Sequence, residues 1–299
     1  MSCIDHTSET ILSKITNTCS TSITIMLCVF QGMRSSDYGG AFCIIQSSGV
    51  LRLEKTTIFN CSTSSHGGGF YYNGNTQLNV EKCCINQCWS PAMGQAHYSH
   101  MSSGSHNYYE NSIKKCSFDR NNGRTVSFIE SAQQYFARNN ISTNQVSTYD
   151  ALLFHHAQYF MTNYTNILSN VVTITINVDF SINGDLKYIN IVNNSYSVLS
   201  HALFYNANNG IMNFDSCVMK YNTQYTPATV PSRITYTNCL MFSNFFSVGT
   251  LEPVSQEPPT NQIFINNVCE EFSINLATSL IKSKRKILVF LTLSLILCQ

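Results

Sequence analysis

The six residues Thr165-Asn-Ile-Leu-Ser-Asn170 form one of several windows of the same pattern that recur along the chain and predict its fold. Self-similarity at a period of roughly 20 to 50 residues is the signature of a solenoid, in which each repeat packs mainly on its neighbours. The third position of every window is large and apolar, and the mean spacing is about 26 residues. The residues at this position are Ile58, Ile85, Phe118, Ile141, Ile167, Ile191, Met219, Met241 and Phe264.

The sixth position of the windows is asparagine in most repeats. In a parallel stack each coil lies ~4.8 Å above the previous one, so side chains at equivalent positions superpose. Asparagine amides can then hydrogen-bond along the column and also tolerate the left-handed backbone of a turn. This pattern predicts an asparagine ladder. Its members are Asn121, Asn144, Asn170, Asn194, Asn222 and Asn244, followed by Asn267.

The first two windows place cysteine at the sixth position instead. Cys61 and Cys88 indicate either a locally different stack or a disulfide between neighbouring coils. The total of 13 cysteines is odd, so at least one is unpaired within the chain. The count fits disulfides outside the cell as well as buried thiols within it.

These patterns predict an all-β, right-handed parallel β-helix of eight or nine coils with a hydrophobic C-terminal tail. Leucine-rich and helical solenoids have similar periods, but the apolar positions lack helical spacing and the leucine-rich pattern. Residues 172–178 alternate with period two, as strands do. We expect residues 1–38 to form a cap or degenerate coil, residues 39–270 to form the β-helix, and residues 271–299 to form a basic and hydrophobic tail.

The charge of the chain excludes one class of partner. The formal net charge is +1 and only 11% of the residues are charged. Because a nucleic-acid surface needs a broad basic field, no nucleic-acid partner is expected.

The two termini bear on localisation. Asp5 stands where a secretory signal carries positive charge, so no signal peptide is visible. The basic run 282–286 precedes the apolar stretch 287–298, which is shorter than the roughly 20 residues of a spanning helix. The tail also has features of a lipid-anchor signal. The tail is therefore a candidate for membrane attachment. The pattern leaves open whether the tail spans a membrane, is removed by processing or does neither.

Two further motifs carry a family resemblance. Glycine pairs occur in Gly39-Gly-Ala-Phe42 and in Gly68-Gly-Phe70. Phe-x-x-Asn motifs occur at residues 118–121, 136–139, 160–163 and 264–267. The chain thus resembles the polymorphic outer-membrane-type β-helix proteins. Similar right-handed β-helix proteins, which have the pectin-lyase-like fold, occur at the surfaces of flagellate mucosal parasites. The resemblance implies a surface-displayed β-helix.

The acidic residues argue against the best-known chemistry of such folds. Polysaccharide lyases cluster aspartates around calcium, and glycoside hydrolases use paired carboxylates. Here the aspartates are scattered singly along the coils. No catalytic residue is assigned, and the chain is predicted not to be an enzyme.

The longest apparent insertion, between Ile85 and Phe118, is the candidate ligand-binding loop. Its aromatic rings offer flat apolar faces, and loops on rigid scaffolds commonly carry recognition. The candidate residues are Trp89, His97, Tyr98, His100, His106, Tyr108 and Tyr109. Histidines in a flexible loop lack the fixed geometry of a zinc site, and the cysteines lack the paired Cys-x-x-Cys spacing. The pair His155-His156 is assigned to a strand, and no metal or cofactor is predicted.

The sequence therefore favours a non-catalytic surface or secreted scaffold, located at the cell surface or on a membrane, that binds a host or matrix glycan or protein. Two alternatives stay open. One is a polysaccharide lyase or hydrolase, which rests on fold analogy alone. The other is a fragment of a longer membrane-anchored adhesin.

Overall fold

The computed structural model describes most of the repeat region. The described residues are 6–7, 10–11, 14–116, 123–146, 150–179, 183–195, 202–206, 211–223, 226–228, 234–241, 250–251 and 269. Phe118, Asn121, Asn244, Phe264, Asn267 and the tail 271–299 lie outside them. Within the described residues, no helix is long and apolar enough to cross a bilayer.

Parallel strands stack into an all-β solenoid of about seven turns. Each coil passes through three sheets, which are called sheets 1, 2 and 3 in the order followed by the coil that begins at Ile15–Cys19. The strands of sheet 1 are Ile15–Cys19, Phe42–Gln46, Phe70–Gly74, His97–Met101, Ser127–Glu130, Asp150–His155, Ile174–Asp179, Ala202–Asn206 and Thr226–Ala228. The strands of sheet 2 are His6–Thr7, Ile23–Met26, Val50–Glu54, Gln77–Glu81, Ser105–Tyr109, Gln133–Ala137, Tyr159–Asn163, Asn183–Lys187, Ile211–Asp215, Ile234–Thr237 and Thr250–Leu251. The strands of sheet 3 are Thr10–Ile11, Val29–Gln31, Thr57–Phe59, Cys84–Asn86, Ser112–Lys114, Asn140–Ser142, Asn166–Leu168, Asn190–Val192, Val218–Lys220 and Leu240–Met241. A separate two-stranded sheet pairs Arg34–Ser35 with Ser62–Thr63.

The register confirms the predicted column of apolar residues in sheet 3 for most coils. Ile167 pairs with Ile141 on one side and with Ile191 on the other. The window assigned to Phe118 is wrong, because Ile113 is the residue that pairs with both Ile85 and Ile141. Ile113 is fully buried, as a residue facing the core must be. The corrected window, 111–116, is equidistant from its neighbours, so the expected long insertion does not exist.

The interior is filled by side chains that alternate inward along each strand. Three consecutive coils stack Phe42, Phe70 and His97 in sheet 1, with ring centroids 5.0 and 5.1 Å apart. Each fully buried Phe or Ile contributes roughly 2 kcal/mol relative to exposure. Gly184 occupies an inward position of sheet 2 because the ring of Phe160 fills the space, and a Cβ there would lie on the ring carbons.

The asparagine ladder is confirmed for its four described members. The Nδ2 atom of Asn144 donates to Asn170 at 3.0 Å, Asn170 to Asn194 at 3.0 Å, and Asn194 to Asn222 at 3.0 Å. Each Nδ2 also donates to the carbonyl of an apolar column residue one coil back, such as Asn170 to Ile141 at 3.0 Å. The ladder thus satisfies buried backbone acceptors as well as joining the coils.

The left-handed residue of this turn is the fifth position, not the sixth as expected. Positive φ angles of 50° to 58° occur at the fifth position in seven coils. These residues are Asn60, Gln87, Lys115, Thr143, Ser169, Asn193 and Tyr221. The bend turns the sixth side chain inward and the fifth side chain outward, so the two positions serve different purposes.

The cysteines at the sixth position take the same role as the asparagines. The thiol of Cys88 donates to the Ile58 carbonyl at 3.7 Å, and Cys116 donates to the Ile85 carbonyl at 3.7 Å. Cys61, Cys88 and Cys116 are all free thiols, so the alternative of a disulfide between these coils is wrong. A thiol is a weak donor but fits the same place.

Candidate functional site

A groove lies beside sheet 3 of the solenoid. Its volume is about 750 Å³, which lies in the range of ligand-binding clefts. The lining comes from successive coils rather than from one loop. The described residues that line it are Arg34, Ser35, Asn60, Cys61, Ser62, Thr63, Ser64, Gln87, Trp89, Lys115 and Thr143.

One wall of the groove is the left-handed corner that follows sheet 3. Asn60, Gln87, Lys115 and Thr143 each stand at the fifth position of their coil and project outward. Because coils are spaced by ~4.8 Å, these four side chains form a file roughly 15 Å long, parallel to the solenoid axis. The fold therefore delivers one outward polar side chain per coil to this wall.

The other wall is a short column that the small sheet builds. Ser62 pairs with Arg34 on one side and with Trp89 on the other. Two backbone hydrogen bonds fix Trp89, which donates to the Cys61 carbonyl at 3.0 Å and accepts from the Thr63 amide at 3.1 Å. Arg34, Ser62 and Trp89 thus lie in consecutive coils.

The chemistry of the lining suits a hydroxyl-rich or anionic ligand. Arg34 and Lys115 are exposed cations, and the described residues that line the groove include no Asp or Glu. Side-chain amides and hydroxyls supply donors and acceptors between the two cations, and Trp89 supplies part of its indole ring. This set of groups would suit a ligand that extends along the axis.

The expected ligand-binding loop is wrong as a description of residues 97–109. These residues form two strands, His97–Met101 in sheet 1 and Ser105–Tyr109 in sheet 2. His97, His106 and Tyr108 point inward and are buried. Inward positions cannot touch a ligand, so these three side chains belong to the core.

Burial also sets the protonation of the two core histidines. Desolvation lowers the pKa of His97 to about 3, with a smaller contribution from the charge of His106. Desolvation likewise lowers the pKa of His106 to about 3, against the opposing effect of its contact with the Glu130 carbonyl at 3.1 Å. Both rings are neutral at physiological pH. The Tyr108 hydroxyl lies 3.2 Å from His97 Nδ1 and donates to Ser99 at 3.0 Å.

The remaining candidates lie on three different surfaces. Trp89 lines the groove described above. Tyr98 and His100 are on the outer face of sheet 1. Tyr109, which is 37% exposed, is at the end of its sheet 2 strand, where the guanidinium carbon of Arg138 lies 5.7 Å from its ring centroid. The predicted set is therefore not one site.

A column of histidines and carboxylates crosses the outer face of sheet 1. The register places His100, Glu130, His155 and Asp179 on successive strands. The Glu130 carboxylate lies 3.2 Å from His100 Nδ1 and 3.3 Å from His155 Nδ1, and Asp179 lies 3.6 Å from His155 Nε2. The Tyr98 hydroxyl donates to Glu130 Oε2 at 2.6 Å.

These contacts keep Glu130 ionised. The hydrogen bond with His155, together with that from Tyr98 and the nearby histidines, lowers the pKa of Glu130 to about 2 despite partial burial. His156 follows His155 at φ 51°, and their ring centroids are 4.0 Å apart. Glu130, His155 and His156 each offer one ligand atom, and these atoms lie within 4.8 Å of one another.

Aromatic rings line the same face next to this column. Tyr71, Tyr98 and Phe128 stack with centroids 5.2 and 4.5 Å apart and interplanar angles of 11° and 6°. Their faces are occupied by one another, so the stack presents edges and hydroxyls outward. The stack includes Tyr98, whose hydroxyl donates to Glu130.

No family model matched the sequence, and neither a curated protein nor a solved structure matched it. The site therefore has to be interpreted from its own chemistry. The sequence analysis named Trp89, Tyr98 and His100, which lie in these two candidate sites, and did not name Arg34, Lys115 or Glu130. The fifth window position is the signal that could have indicated Lys115, but it applies only in the corrected window 111–116, which the structure supplied.

Proposed function

We propose that this protein is a non-catalytic β-solenoid, displayed at a cell surface or secreted, that binds a linear acidic glycan in the groove beside sheet 3. The observation that carries the proposal is the alignment of Arg34, Trp89 and Lys115 along an axial groove of about 750 Å³. Guanidinium and ammonium groups bind carboxylate and sulfate, and an indole packs on the apolar face of a sugar ring.

The elongated form of the groove favours a polymer over a compact metabolite. The wall of fifth-position residues repeats every ~4.8 Å, so similar polar groups recur along the ligand path. A linear chain of similar sugar units can make equivalent contacts at several levels. Loss of one contact should therefore weaken binding without abolishing it.

A disulfide supports placement outside the reducing cytosol. Cys84, in sheet 3, is bonded to Cys269 across a sequence separation of 185 residues. Structural disulfides persist mainly in oxidising compartments. The bond thus favours a secreted or surface-displayed protein.

Titration calorimetry with a uronate oligosaccharide and a neutral oligosaccharide of equal length tests the proposal. We expect the wild-type chain to prefer the acidic ligand, and we expect added salt to weaken that preference because exposed charges are screened. Arg34→Gln and Lys115→Gln should each weaken binding about tenfold, which corresponds to about 1.4 kcal/mol. Glutamine already occupies the same backbone position at Gln87, so Lys115→Gln is compatible with the fold.

Lys55→Gln is the matched control, because Lys55 is also an exposed lysine with a positive φ of 47° but lies on another corner. Its affinity should stay within about twofold of wild type. Equal affinity for both ligands, or unchanged affinity in folded Lys115→Gln, contradicts the proposal. Release of shortened or unsaturated sugars during the titration would instead favour a polysaccharide lyase or hydrolase.

A further inference from the structure

The outer face of sheet 1 carries a cluster that the groove does not involve. Glu130 ends one strand and His155 ends the next, so the register places their side chains side by side. His156 begins the following turn in the left-handed region, which brings its ring towards the same corner. One carboxylate oxygen and two imidazole nitrogens converge within 4.8 Å.

We propose that Glu130, His155 and His156 form a binding site for a divalent transition-metal ion of the zinc type. Two imidazoles and one carboxylate make a donor set that Zn²⁺ accepts, and three protein ligands leave a coordination position for water or for an anionic group. Ligand atoms around zinc stand ~2.0 to 2.2 Å from the metal, so rotation of the exposed His156 ring is the main adjustment required.

The surroundings already orient two of the three ligands. The Tyr98 hydroxyl holds Glu130 Oε2 at 2.6 Å, which leaves Oε1 directed at His155 Nδ1, 3.3 Å away. Asp179 lies 3.6 Å from the other nitrogen of His155. A carboxylate behind a ligating histidine fixes the ring orientation and raises the basicity of the ligating nitrogen.

The site is also accessible from solvent. The side chains of Glu130 and His155 are about one-fifth exposed, so a hydrated ion has access to the site.

Equilibrium dialysis of the full-length, untagged protein with Zn²⁺ tests this inference. We expect wild type to bind one Zn²⁺ more per chain than Glu130→Gln or His156→Asn, or to bind it at least tenfold more tightly. Asparagine tolerates the left-handed backbone, and His156 is exposed, so His156→Asn should fold as wild type does. Thermal melts of the apo proteins check this.

Glu110→Gln is the matched control, since Glu110 is a carboxylate in an ion pair with Arg138, 3.3 Å away, at the corner that follows sheet 2. It should keep the wild-type stoichiometry. Co²⁺ substitution gives a second measurement, because nitrogen and oxygen ligands lack the thiolate charge-transfer band that cysteine ligation produces. Identical zinc binding by wild type and folded His156→Asn would overturn the proposal, as would a thiolate band that accounts for all of the bound cobalt.

Discussion

The Nδ2 atom of Asn170 donates to Oδ1 of Asn194 at 3.0 Å, although 24 residues separate them in sequence. Their apolar companions Ile167 and Ile191 pair directly in sheet 3. Residues one coil apart are therefore vertical neighbours. This relationship is the basis of the groove as well as of the core, because the same stacking aligns the outward fifth positions.

Asn170→Ala tests how much the asparagine ladder contributes to the free energy of unfolding. The substitution removes donors to Ile141 and Asn194 and an acceptor for the Asn144 amide, all of which are buried. We expect the free energy of unfolding to fall by about 3 kcal/mol, since unsatisfied buried groups cost about 1 to 3 kcal/mol each. Urea unfolding provides the measurement.

Asn107→Ala is the control for the ladder substitution. Asn107 also donates to an asparagine one coil away, Asn79 at 2.9 Å, but both side chains are only partly buried. Its loss should cost less than about 1 kcal/mol. Equal losses in the two variants would mean that burial of the ladder adds nothing.

Cys116→Asn tests whether thiol and amide are interchangeable in this column. An asparagine at this position can donate to the Ile85 carbonyl, as Asn144 does to the Ile113 carbonyl at 3.1 Å. We expect stability within about 1 kcal/mol of wild type, whereas Cys116→Val should lose more because it leaves the carbonyl without a donor. If the valine variant proved the more stable of the two in urea unfolding, the sixth position would require only a side chain of suitable volume and not a hydrogen-bond donor.

Most of the fold could be predicted from the sequence, and the reason is the repeat itself. An apolar residue such as Ile191 recurs with an asparagine three residues later, and a local pattern that repeats carries long-range register. The register error at Phe118 arose because Cys116 replaces asparagine at the sixth position. The pattern was too weak there to distinguish two adjacent windows.

The candidate site was much less predictable. Lys115 and Arg34 lie in different coils and line the same groove only because the coils stack. Histidine is a polar residue type, yet His97 and His106 point inward. Their direction follows from the alternation of side chains along a strand and not from residue type. Gly184 could not be predicted at all, since its cause is the ring of Phe160 in the neighbouring coil.

Stability should depend on pH through the two core histidines. Their pKa values are lowered to about 3, so between about pH 3 and 6.5 the unfolded chain binds protons that the folded chain does not. The two histidines therefore do not reduce the free energy of unfolding above pH 6.5. They lower it progressively as the pH falls below that value. Burial raises the pKa of Asp150 and gives a dependence of opposite sign, so differences between variants are the appropriate measure.

His97→Phe isolates one of these contributions. The new ring continues the stack of Phe42 and Phe70, and the Tyr108 hydroxyl keeps its bond to Ser99. Relative to wild type, the variant should gain about 1.4 kcal/mol of stability per unit as pH falls from about 6 to 4. Parallel pH profiles in urea unfolding would show that the His97 ring is already protonated in the folded protein.

Peptide mapping under non-reducing conditions should find Cys84 joined to Cys269. Cys83 should stay unmodified by iodoacetamide at pH 8 until the chain is unfolded, because desolvation raises the pKa of its thiol to about 12 and little thiolate forms. Unfolding in denaturant should expose it to rapid alkylation, which serves as the control. Fast labelling of Cys83 in the folded protein, or a mixed pairing of Cys84, would contradict the described arrangement.

Trp89 reports directly on ligand binding in the groove, because it is the single tryptophan of the chain and lines the groove. Saturation with a linear acidic oligosaccharide should shift its fluorescence emission and reduce acrylamide quenching. In Lys115→Gln, the midpoint of this change should move to about tenfold higher ligand concentration. Saturable binding in calorimetry that leaves both the emission and the quenching of Trp89 unchanged would place the ligand elsewhere and contradict the account.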